Sequence, residues 1–227
     1  MKLILLILFL STHSTLANAL KDKCFDAKIE AKVENFKISK ESGIRLSMSI
    51  EDDLDISKVS LDEIQQIFNL LKSKRYIPFD YKKMGCEARA HEMVRIMDKM
   101  CLSSAKAFLI GDISLGGISW VHHVAPILYV QNKDQITPYI LDPSVSDRAI
   151  PLNEWLNILR RSNLLGYYNL NITNQYTYRP EEIDSNNRKY RFRDIVKTKL
   201  GLGIFKAYET VDEFPSDLIH LLKKVIN

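Results

Sequence analysis

From Ser60 onward the hydrophobic positions alternate between two periods, and the changes of period mark out the elements. Ser60 and Glu63 form a capping box, and Ile64, Ile67, Phe68 and Leu71 follow on one helical face. Pro78 falls in a loop that leads to Gly85. Met84 to Met100 is a second helix with Ala90, Met93, Val94 and Met97 on its inner stripe. The period then drops to two. Ala105–Ile110 and Trp120–Val130 are strands separated by a glycine-rich loop from Gly111 to Gly117, and Thr137–Leu141 is a third, hairpin-related strand beyond a turn at Gln131–Gln135. Pro151–Arg161 is a helix with proline near its first turn. Leu165–Tyr178 is tyrosine-rich and β-like, and short helices are expected at Asp194–Leu200 and Pro215–Val225. Residues 20–56 are charged and weakly patterned: an N-terminal arm, an added strand or a short pro-segment. The sum is an α+β domain over residues 57–227, with a helix laid against an antiparallel sheet.

Composition narrows the function. The 227 residues suit one well-packed domain, and 46% hydrophobic with 26% charged residues is ordinary for a globular chain. The net charge of +4 is modest and the basic residues are interspersed with acids, so nucleic acid is not the expected partner. The densest basic run, Arg188 to Arg193 with Lys197 and Lys199, reads as a solvated helix face. At the N-terminus Lys2, the apolar run Leu3–Leu10 and Ala17-Asn18-Ala19 have the form of a secretory signal (residues 1–19) cleaved after Ala19. No later segment is apolar enough for membrane insertion, which points to a secreted or periplasmic protein. Export places the three cysteines in an oxidising compartment. A Cys24–Cys101 bridge would leave Cys86 as the free thiol.

Cys86 is the residue that carries chemistry. It follows Gly85 and opens a helix, where backbone N–H groups lower a thiol pKa and can hold an oxyanion. Glu87 would oppose the thiolate, but helical neighbours point about 100° apart, so Glu87 is expected to face solvent. His122 and His123 are strand neighbours on opposite faces: Trp120, His122 and Val124 on one, Val121, His123 and Ala125 on the other. One of the two can serve as a base toward Cys86, and the strand pattern leaves open which. Asp142 ends the next strand, where it can orient an imidazole or simply start a turn with Pro143 and Ser144. His91 reads as a packing residue. A zinc site from Cys86, His91, His123 and Asp142 lacks the close ligand spacing such sites show, and a papain-type signature is absent around Cys86.

Three motifs in order are more specific than any one of them. Phe79-Asp80-Tyr81 with Gly85-Cys86-Glu87-Ala88-Arg89-Ala90-His91-Glu92-Met93, then Trp120-Val121-His122-His123-Val124-Ala125, then Ile140-Leu141-Asp142-Pro143-Ser144 resemble the landmarks of bacterial protein glutaminases, also called protein-glutamine deaminases. Pro151 and Trp155 extend the likeness, which spans roughly residues 57 to 165. The resemblance implies a papain/transglutaminase-like fold and hydrolysis of glutamine side-chain amides in proteins or peptides, with ammonia released and no metal or organic cofactor. It also assigns the triad to Cys86, His123 and Asp142, and leaves Trp120 and His122 as candidates for lining the substrate cleft. Relatives are secreted with a segment that covers the cleft, for which only residues 20 to about 56 leave room. Glu87 departs from the family pattern, in which this position is often aromatic. Transglutaminase or protease chemistry on the same scaffold, or a non-catalytic binding module, are the alternatives.

Overall fold

The computed structural model describes residues 27–36, 45–133, 135–160, 166–183 and 187–210. Residues 1–26, with the expected signal sequence and Cys24, and the helix expected at 215–225 lie outside them. In chain order the elements are β1 (Lys28–Glu30), β2 (Arg45–Ile50), β3 (Asp55–Val59), α1 (Leu61–Lys72), α2 (Cys86–Asp98), β4 (Ala105–Leu115), β5 (Ile118–Asn132), β6 (Gln135–Ile140), β7 (Ile150–Pro151), α3 (Leu152–Arg160), β8 (Tyr167–Asn174) and α4 (Phe192–Thr210). Eight strands form one sheet, with a main path β1-β3-β5-β4-β8-β2 and β6 joining β5 to β7. Its centre is antiparallel: β4 pairs with both β5 and β8, and β5 with β6. The segment before Ser60 enters the same sheet. β2 lies parallel to β8, and β3 parallel to β5, so the sheet is mixed.

Helix α1 starts as the sequence dictates. Ser60 Oγ accepts from the Glu63 N–H (3.2 Å) while the Glu63 carboxylate accepts from the Ser60 N–H (2.8 Å). Its stripe Ile64, Ile67, Phe68 and Leu71 is wholly buried. Each such side chain removed from water contributes about 1.5–3 kcal/mol. The same core takes Met93, Val94 and Met97 from α2, Ile127 and Leu128 from β5, and Trp155, Leu156 and Leu159 from α3.

Two elements run longer than the sequence pattern suggests. The Gly111–Gly117 segment is strand as far as Leu115, and the chain turns only at Gly116 and Gly117, both at positive φ. A shift in register between Ile110 and Ile113 against β5 breaks the alternation that would have revealed the strand. Helix α4 continues nineteen residues, through Gly201. A Cβ at Gly201 would meet the Ala88 Cβ at 3.5 Å, an ordinary contact, so this glycine lies inside α4 where it packs on α2 and does not end the helix. The basic run before and within α4 is tied to acids: Arg188 to Glu51, Arg191 to Glu182 and Asp194, and Arg193 to Glu182. Among the described residues no helix is long and apolar enough to cross a membrane.

Candidate active site

Helix α2 is covered on both sides, by the sheet and by α4, which is why even Arg89, His91 and Glu92 on it are buried. Its first residue is Cys86. Gly85 caps it at φ +85°, and a Cβ there would lie 2.4 Å from the Phe205 ring, so only glycine allows α4 to close over the helix start. Arg89 fixes the loop leading in. Its guanidinium donates to the carbonyls of Tyr81 (2.8 Å), Met84 (2.8 Å) and Pro78 (3.4 Å). The Trp120 indole N–H donates to the Lys82 carbonyl (3.0 Å) and ties the same loop to β5.

On β5 the His123 ring is buried, and its Nε2 lies 2.7 Å from Asp142 Oδ2. Asp142 also accepts from Trp155 Nε1 (2.9 Å), Ser144 Oγ (2.5 Å) and the Ser144 N–H (3.2 Å). Burial works against its charge, but His123 and the donors from Ser144 and Trp155 outweigh it and hold the carboxyl down at about 2. An ionised Asp142 accepts only, so Nε2 carries the proton and Nδ1 keeps its lone pair in the neutral ring. That Nδ1 is buried with no hydrogen-bond partner. Trp120 stacks on the imidazole at 5.4 Å and 29°, and Trp155 flanks it at 5.8 Å.

The sulfur has different neighbours. Cys86 is buried beside Ala90, Phe108 and Val124, and the Val124 backbone N–H donates to Sγ. The thiol donates to Glu87 Oε2 (3.4 Å), and Glu87 Oε1 pairs with His122 Nε2 (2.8 Å). The structure thus gathers Cys86, Glu87 and His122 at one point and His123 with Asp142 at another. The two groups are joined through β5, where the peptide after His123 touches the sulfur. No hydrogen bond links Cys86 to His123 among the described residues.

Three readings of the sequence need correction. Glu87 does not simply point into solvent: its side chain is only about a quarter exposed and bonds to Cys86 and His122, because at the first turn of a helix that abuts β5 positions 86 and 87 both reach the strand. The thiol pKa is raised, not lowered. Burial pushes it up, the Glu87 charge adds to this, and Arg89 with the Val124 N–H only partly offsets them. Along β5 His122 and His123 do take different partners, Glu87 and Asp142, but Trp120, which strict alternation places on the face of His122, stacks on the ring of His123. His91 does pack in the interior, 3.0 Å from buried Lys106 and edge-on to Tyr178 and Tyr190. The zinc set containing it does not assemble. Of the supporting residues, Arg89 gives no signal in the sequence beyond being a charged residue in a helical stripe.

A thiol opening a helix against a sheet that carries a His–Asp pair is the architecture of papain- and transglutaminase-like enzymes, and the fold is of that class. Residues 64–159 match the model of a family described as glutaminase, and this stretch holds Cys86, His123, Asp142 and Trp155, so the resemblance carried by the three motifs is upheld. A crystal structure of pro-protein-glutaminase is similar at a TM-score of 0.55 and 21% identity over 74% of this chain and 62% of that one. A crystal structure of protein-glutaminase gives 0.55 and 22% over 74% and 91%. The NMR structure of protein-glutaminase from Chryseobacterium proteolyticum gives 0.52 and 21% over 70% and 93%. The chain spans less than two thirds of the pro-protein it matches. Among curated proteins, none matches.

Proposed function

We propose that this protein is a thiol hydrolase that converts glutamine side chains in proteins or peptides to glutamate with release of ammonia. The observation that carries the reading is the state of His123: Nε2 engaged by ionised Asp142, Nδ1 buried and unpartnered, and the next peptide in contact with Cys86 Sγ. Because burial and Glu87 hold the thiol protonated, attack requires a base at the moment of reaction rather than a standing thiolate. His123 Nδ1 takes the thiol proton as sulfur adds to the carboxamide carbon. The Cys86 backbone N–H, free at the helix start, stabilises the oxyanion. The imidazolium then protonates the amide nitrogen of the tetrahedral adduct, the C–N bond breaks with loss of ammonia, and a thioester remains. Water activated by the same ring hydrolyses it to the glutamate side chain and restores the thiol. Asp142 holds the tautomer and stabilises the imidazolium, and Trp120 packs the ring in place.

A second reading makes His122 the base, since its ring nitrogen lies within 4.8 Å of the thiol. Its bond to Glu87 argues against this, because it raises the pKa of the imidazole and keeps the nitrogen nearest the carboxylate occupied. Trp120 and His122 then belong to the cleft wall. The full proposal has residues 1–19 as a signal sequence, residues 20–56 as an arm or short pro-segment, residues 57–227 as the catalytic domain, a Cys24–Cys101 bridge that leaves Cys86 free, and a secreted or periplasmic location. Ammonia release from a casein-like protein, a blocked glutamine dipeptide and free glutamine tests it. Release from the first two that disappears in His123→Ala and largely persists in His122→Ala is the expected result. Release unaffected by His123→Ala overturns the assignment. Cross-linked products would mean transamidation and fragments would mean proteolysis.

A further inference from the structure

In the mechanism above Glu87 takes no part in bond making or proton transfer and only opposes ionisation of the thiol, yet its carboxylate is placed between a thiol and an imidazole. Each carboxylate oxygen faces a different partner, with Oε2 3.4 Å from Cys86 Sγ and Oε1 2.8 Å from His122 Nε2. The potential ligand atoms of all three residues lie within 4.8 Å of one another. They come from two elements that are each fixed, the first turn of α2 and strand β5. The Glu87 and His122 side chains are about a quarter exposed, at 24% and 23%, while Cys86 is 7% exposed, so the group opens to solvent on the Glu87–His122 side.

We propose that Cys86, Glu87 and His122 form a three-ligand site for a zinc-class divalent cation, with a fourth position left to water, and that an ion bound there caps the nucleophile. One thiolate, one imidazole and one carboxylate is a donor set that suits zinc or cobalt(II) rather than magnesium or calcium, which take oxygen ligands alone. Metal–ligand bonds of about 2.0–2.3 Å place tetrahedral neighbours roughly 3.3–3.7 Å apart. The Sγ–Oε2 separation already falls in that range, the Oε1–His122 pair opens by under about 1 Å, and the sulfur and imidazole nitrogen, within 4.8 Å of each other, draw together toward about 3.5 Å. Binding exchanges the thiol proton and the proton shared by Glu87 and His122 for the metal. Arg89 donates to three backbone carbonyls rather than to the ligands, and its charge, which favours the thiolate, works against a cation there. Binding stands apart from the deamidase reading; its consequence, reversible inhibition by zinc, rests on it.

Cobalt(II) reports the site without any assay of activity. Untagged, metal-free full-length protein titrated with cobalt(II) is expected to show a thiolate-to-cobalt charge-transfer band and tetrahedral visible bands that saturate at one equivalent and vanish on adding zinc. Cys86→Ser should abolish the charge-transfer band, and Glu87→Gln and His122→Gln should each weaken cobalt binding at least about tenfold, as expected for loss of a metal ligand. Circular dichroism of each variant verifies the fold. Absence of the band in wild-type protein, or a band that survives both Glu87→Gln and His122→Gln at full affinity, overturns the proposal. A protein that shows the band but releases no ammonia from glutamine substrates when metal-free would overturn the deamidase reading and leave the site standing.

Discussion

Replacing Asp142 with asparagine preserves the side-chain shape and removes its charge, which isolates what that charge does. The Asp142 carboxyl sits at about 2 against an ordinary 3.8, held there by His123, Ser144 and Trp155 in spite of burial. At 1.36 kcal/mol per unit this is about 2 kcal/mol of stability. The sign follows from the depressed value. The folded state prefers the ionised form, so the contribution is complete above pH ~4 and is lost as pH falls toward 2, with about half remaining at pH 3. Asp142→Asn should therefore lower unfolding stability by about 2 kcal/mol at pH 7, and more if the amide NH2 is left facing a donor. Urea unfolding of both proteins at pH 7 and pH 3 measures the gap, which should narrow by about half at the lower pH. In the same variant the His123 tautomer is no longer fixed by a charge, and kcat for ammonia release should fall roughly 10²–10⁴-fold. An equal gap at both pH values, or a folded variant with unchanged kcat, would refute the reasoning.

Other perturbations test the scaffold around the site. Gly85→Ala combines a left-handed backbone, costing about 1–2 kcal/mol, with a Cβ 2.4 Å from the Phe205 ring; a total loss of about 2–5 kcal/mol should appear in the urea midpoint. Arg89→Leu leaves the carbonyls of Pro78, Tyr81 and Met84 without their donor, and should cost about 2–4 kcal/mol and make the 78–84 loop cleavable by a low dose of protease. Lys106 is buried with its pKa lowered to about 7, chiefly by burial, so between pH 7 and about 10.5 the unfolded chain binds a proton that the folded one refuses. Stability should rise with pH across that window, and Lys106→Met should flatten the slope in unfolding experiments at pH 7.5 and 9.5 whatever its effect at a single pH.

The parts of the fold that depend on local pattern are legible directly. The Ser60 capping box, the stripe of α1, the β5–β6 hairpin and the helix opening at Cys86 each follow from residues within one or two turns of one another. The polar partners converge from further away. Asp142 is bound by Trp155, which lies thirteen residues later on α3, and by Ser144 in its own turn, so its environment depends on where α3 packs. The position of Glu87 escapes the sequence for the same reason. A helical wheel gives its angle about the axis but not that the helix start butts against β5, and that contact turns an expected solvent group into a neighbour of the thiol. The pKa of Cys86 reverses with it, since the stabilisation offered by a helix N-terminus is smaller than the cost of burying the charge beside a carboxylate. The length of α4 is hidden because Gly201 and Gly203 lie within it, and glycine in a sequence looks the same whether it ends a helix or sits inside one that packing holds together.

The central claim is that the sulfur of Cys86 removes nitrogen from a glutamine side chain and that water replaces it. Mass spectrometry of a protein substrate incubated in 18O-labelled water with wild-type protein or with folded Cys86→Ala tests it most directly. Wild type should give substrate whose glutamines have become glutamates carrying one labelled oxygen each, with the backbone intact, and Cys86→Ala should give none. Equal conversion by the two proteins, or substrate left unlabelled by the wild type, would contradict it.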